Sequence, residues 1–74
     1  MQYEDLGKFI KLKRKELGLS LNRFAVEADI DPAILCRIEN LQQGIKVNIL
    51  KKIADAMHTT PSKFLEEFEH TTEE

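Results

Sequence analysis

Apolar residues recur along this chain at helical spacing, in five short runs separated by capping and breaking residues. No alternating run is long enough to argue for a strand. The first run predicts a helix over residues 4–17, with Leu6, Ile10 and Leu17 on one stripe, acids in the first turn and Gly18 placed to end it. Lys13 falls on that stripe and must snorkel its ammonium to the edge, whereas Leu12 lies off it, where a partner or a neighbouring helix could cover it. Ser20 is a good N-cap for a second helix of about eight residues carrying Phe24, Ala25 and Ala28. Asp29, Ile30 and Asp31 interrupt the pattern. Asp31 followed by Pro32 is a cap with a proline at the first helical position, so a third helix should run from there to Asn40. The period is lost between Leu41 and Lys46 and resumes as a fourth helix with Val47, Leu50, Ile53, Ala54 and Met57. Thr60 and Pro61 repeat the cap-then-proline signal and open a fifth helix with Phe64, Leu65 and Phe68. The expectation is an all-α domain over residues 1–69, followed by a polar, frayed tail at residues 70–74.

Length and composition narrow the function classes. Seventy-four residues allow one modest core and leave no room for a catalytic domain beside it. No paired carboxylates, nucleophile with base, or glycine-rich phosphate loop is present, so an enzyme is not expected. Cys36 is the one cysteine and cannot form an internal disulfide; Cys36, His58 and His70 lack zinc-site spacing, so neither metal nor cofactor is expected. Without an apolar run that could serve as a signal peptide or membrane span, the expected location is the cytoplasm.

The net charge of −2 argues on its face against a polyanionic partner, but its distribution does not. Residues 1–52 hold ten Lys and Arg against seven Asp and Glu, whereas residues 53–74 hold one against six. A positive N-terminal portion suits a surface that meets phosphates, and the acidic end would sit away from it. Ordinary solvated helix faces would give the same charge pattern.

The second and third helices are separated by only three or four residues, the spacing of a helix-turn-helix, with Phe24, Ala28, Ile30, Leu35 and Ile38 available to pack them together. Ala33, Cys36, Arg37 and Asn40 then share the opposite face of the third helix, which makes it the candidate recognition face. Three segments, LGKFIKLKRKELGLSL, FAVEADIDPAILCRIEN and ILKKIADAM leading into TTPSKFL, resemble the Cro/C1-type helix-turn-helix family, also called the XRE family. The resemblance implies a compact five-helix, lambda-repressor-like domain acting as a small transcriptional regulator, commonly a two-fold dimer on a pseudo-palindromic double-stranded operator. It also implies that Arg14 and Glu39 form a structural ion pair between the first helix and the end of the third, and that Asn40 contacts the DNA backbone. A direct phosphate contact by Arg14 is the alternative. Arg37 is the candidate base reader, because its fork can bond guanine O6 and N7 together.

The sequence departs from the family pattern at informative places. Leu21 stands where members usually carry a phosphate-clamping glutamine, leaving only backbone N–H groups and the helix dipole. Pro32, Ala33 and Ile34 replace polar base readers, so Pro32 and Ala33 are expected to meet bases through apolar contact alone. Asp29 replaces a turn glycine but tolerates a left-handed backbone. Arg23 and Lys46 are the further phosphate candidates, each equally readable as solvated surface, while Lys8, Lys11 and Lys15 read as solubilising. A single recognition helix covers a half-site, so a homodimer is expected through Phe64, Leu65 and Phe68 in the fifth helix. Phe64 and Leu65, or at least one of them, could instead close the domain's own core, which leaves Phe68 as the better interface candidate. The rival function is a protein-interaction module, antitoxin-like in combining a protein partner with weak DNA binding, with Leu21, Ile34 and Cys36 as its apolar face.

Overall fold

A computed structural model describes residues 5–72 of the chain. Five helices follow one another, and there is no strand among the described residues: α1 (Asp5–Glu16), α2 (Leu21–Ala28), α3 (Pro32–Glu39), α4 (Val47–Ala56) and α5 (Pro61–Thr72). Glu4, expected to open the first helix, and residues 73–74 of the expected tail lie outside the described residues.

Local chemistry accounts for the boundaries. Ser20 Oγ accepts from the Arg23 backbone N–H at 3.1 Å, and Asp31 Oδ1 accepts from that of Ala33 at 2.8 Å. Thr60 Oγ1 likewise accepts from Lys63 N–H at 3.2 Å. Each cap satisfies a donor that has no partner within its helix. Gly18, at φ 73°, ends the turn after α1, and Asp29 at φ 57° closes α2 in the left-handed region that an aspartate tolerates. Leu41 and His58 take the same conformation at φ 61° and 58° after α3 and α4.

The core joins all five helices through Leu6, Phe9 and Ile10 of α1, Phe24 of α2, Leu35 and Ile38 of α3, Ile53 of α4, and Phe64 and Phe68 of α5. Phe9 packs its ring against both Phe64 and Phe68, with centroids 5.3 and 5.4 Å away and tilted planes. Gly7 lets α1 cross α3 closely. A Cβ there would lie 2.1 Å from the Ile38 carbonyl oxygen.

Three expectations need correcting. Leu17 is not on the buried stripe: its N–H bonds to the Lys13 and Arg14 carbonyls in the terminal turn, and the side chain is exposed. The tail does not leave the helix at His70, because α5 continues to Thr72. Phe64 and Phe68, expected at a dimer interface, are each only 1% exposed and belong to the domain's own core; Leu65 alone of the three keeps some exposed surface.

Candidate nucleic-acid interface

The candidate surface is the outer side of α3, and its orientation follows from what holds the inner side. Leu35 and Ile38 are buried, and Glu39 is buried with them because it meets Arg14. Arg14 Nε and Nη2 donate to the two Glu39 carboxylate oxygens at 2.8 and 3.0 Å, while Nη1 donates to the Leu19 carbonyl at 2.7 Å. The hydrogen bond to Glu39 raises the Arg14 pKa further, outweighing the opposing effect of burial. This clasp ties α1 to the last turn of α3 and to the loop before α2. Nε, Nη1 and Nη2 each have an acceptor, which is the condition for a buried charge pair to be tolerated.

The approach to α3 is fixed as well. Ile30 is buried within the turn at residues 29–31, and its N–H bonds to the Ala25 carbonyl at 2.9 Å. Lys52 of α4 reaches across to that turn, donating to the Asp29 carbonyl at 3.0 Å with the Asp29 carboxylate 3.6 Å away. Lys52 thereby links α4 to the turn between α2 and α3, a contact the sequence reading had not assigned to it.

With its inner side held, α3 presents Pro32, Ala33, Arg37 and Asn40 to solvent, and Ile34 and Cys36 in part. Asn40 Nδ2 lies 3.3 Å from Cys36 Sγ one turn earlier, so both sit on the outward face. Arg37 Nε donates to Gln43 Oε1 at 2.7 Å, a contact from the loop after α3 that the sequence reading did not foresee.

The remaining expected residues are dispersed around this face. Arg23, on α2, is exposed and paired with Glu27 one turn on, at 3.1 Å. Leu21 is partly buried against the core, so only its backbone is available for an anion. Lys46 is the exposed N-cap residue of α4 and makes no ion pair among the described residues. Asp29 and Asp31 are exposed close by, so charge alone does not make this surface strongly basic.

A family model for helix-turn-helix domains matches residues 10–64, about three-quarters of the chain. The chain belongs to the Cro/C1-type helix-turn-helix family. No curated protein and no solved structure matches it. Membership makes this helix-turn-helix chain a DNA-binding domain of the transcription-regulator class, with double-stranded DNA as its partner. Among the described residues no group of three metal-ligating side chains comes together, and no helix is long and apolar enough to cross a membrane.

Proposed function

We propose that this helix-turn-helix chain is a small sequence-specific transcriptional repressor, with α2 and α3 as the helix-turn-helix and residues 32–40 in the major groove of its operator. The observation that carries this reading is the two-sidedness of α3. One side is locked by the core and the Arg14–Glu39 clasp, and the other is open, outward-facing and furnished with an arginine. A helix held on one side and open on the other, with Arg37 and Asn40 on the open side, suits major-groove docking.

Arg37 supplies the base contact, its fork matching guanine O6 and N7, while Pro32 and Ala33 offer apolar contact to a thymine methyl group. Asn40, Arg23 and Lys46, together with the backbone at Leu21, supply phosphate contacts that set register and most of the affinity. Because one recognition helix spans a half-site, the working form is a homodimer on a pseudo-palindrome, and occupancy of that operator excludes other proteins from it.

Selection of random-sequence duplexes by the purified protein, with the enriched pool rebound at two salt concentrations, tests the proposal. An enriched pseudo-palindrome whose binding falls steeply as salt rises supports it. No enrichment by folded protein favours the second reading, docking of an antitoxin-like protein partner. That reading draws on the partial exposure of Leu21, Ile34 and Cys36.

A further inference from the structure

The loop between α3 and α4 returns to the recognition face. Leu41, at φ 61°, reverses the chain directly after Asn40, and the next N–H, that of Gln42, bonds back to the Arg37 carbonyl at 2.7 Å. This is a helix-closing arrangement that normally takes glycine, held here by leucine. Its consequence is that Gln43 lies beside the Arg37 side chain, and Gln43 Oε1 accepts from Arg37 Nε at 2.7 Å. Backbone and side chain of Arg37 are thus each tied to the loop.

We propose that Gln43 is a positioning residue for base recognition: it holds Arg37 through Nε and leaves the terminal Nη1 and Nη2 fork aimed outward for a guanine. This rests on the reading that Arg37 contacts a base. Neither Nη group has a partner among the described residues, so the end of the fork that fits guanine O6 and N7 is unoccupied. Arg23, on α2, shows by contrast why an amide serves here. Arg23 is held by the Glu27 carboxylate, which offsets its charge, whereas the neutral amide of Gln43 orients Arg37 and leaves its full positive charge for the ligand. An arginine fixed before binding loses less side-chain freedom on meeting its base, and that gain is specific to the sequence Arg37 reads.

The experiment compares wild type, Gln43→Leu, Gln43→Glu and Arg37→Ala, using a duplex selected by the wild type and copies with each guanine of the half-site replaced. Gln43 is exposed, so all four proteins should melt alike. Gln43→Leu should reduce discrimination at the base pair read by Arg37 roughly threefold to tenfold, with affinity for random duplex and its salt dependence unchanged. In the DNA-free protein, NMR relaxation should show the Arg37 Nε–H ordered in the wild type and in Gln43→Glu and mobile in Gln43→Leu. Gln43→Glu should also weaken binding to every duplex, by offsetting the charge.

Unchanged discrimination in Gln43→Leu, where Arg37→Ala loses it, overturns the positioning role alone. So does a loss at a different base pair, which would make Gln43 a reader in its own right. If Arg37→Ala itself leaves every preference intact, the base-reading assignment of Arg37 fails, and the role of Gln43 falls with it.

Discussion

Two arginines lie on opposite sides of α3, and their surroundings separate a structural role from a proposed reading role. Arg14 comes from α1 into the interior, where Nε, Nη1 and Nη2 all find acceptors on Glu39 and Leu19. Arg37 projects from α3 itself, is exposed, and among the described residues its side chain has a partner only at Nε. The same guanidinium is a staple when its donors are used inside the protein and a candidate reader when its fork is left over. The difference lies in how many donors the fold consumes, which cannot be read from residue type.

The comparison breaks most visibly on the inner side. Glu39→Ala leaves Arg14 buried without its carboxylate and should destabilise the domain by about 3 kcal/mol in urea unfolding, with specific and random DNA binding lost together as the fold fails. A loss below about 1 kcal/mol would show the clasp to be dispensable. Gly7→Ala tests the same side from the backbone. Its Cβ would meet the Ile38 carbonyl, so α1 and α3 must separate at about 1–3 kcal/mol, and an unchanged melting temperature would contradict the close crossing. On the outer side, Arg37→Ala should leave stability within about 0.5 kcal/mol while removing about 1–2 kcal/mol of discrimination at one base pair in competition binding. Equal losses on specific and random duplexes would make Arg37 a phosphate contact instead.

The smallest effect concerns a cation between these extremes. Lys13 of α1 bonds to Glu67 of α5, and that hydrogen bond raises its pKa above the ordinary lysine value. The folded protein therefore holds this proton more tightly than the unfolded chain does. The resulting stability is complete below the ordinary lysine pKa and disappears as pH rises through the raised value. Lys13→Met should lower stability by less than about 1 kcal/mol at neutral pH and flatten the decline at alkaline pH. An alkaline decline of unchanged slope would assign it to other groups.

The helices were legible because their signals are local. Ser20, Asp31–Pro32 and Thr60–Pro61 specify three helix starts through hydrogen bonds made within a few residues, and Gly18 marks a stop in the same way. What escaped depends on distant partners. Helical spacing identifies Phe64 and Phe68 as apolar positions facing something, but not whether that is a second copy or Phe9 of the same chain. Phe9 itself, three residues after Leu6, was the available clue. The contact from Lys52 to Asp29 joins residues 23 apart in sequence, and no local pattern announces it. The Arg37–Gln43 bond was hidden because it needs a left-handed backbone at Leu41, a residue type that gives no sign of adopting one. Of the site, Arg37 and Asn40 on an exposed face followed from helical periodicity alone; the Arg14–Glu39 clasp followed from family resemblance.

The central claim is that the outward side of α3 is the surface that meets DNA, and amide chemical-shift mapping on a selected duplex tests it most directly. The account predicts the largest perturbations at residues 20–23, 31–37 and 40–46, with the outer surface of α5 unaffected apart from any change at a dimer contact. Perturbations centred on α1 or α5, with α3 silent, would contradict it.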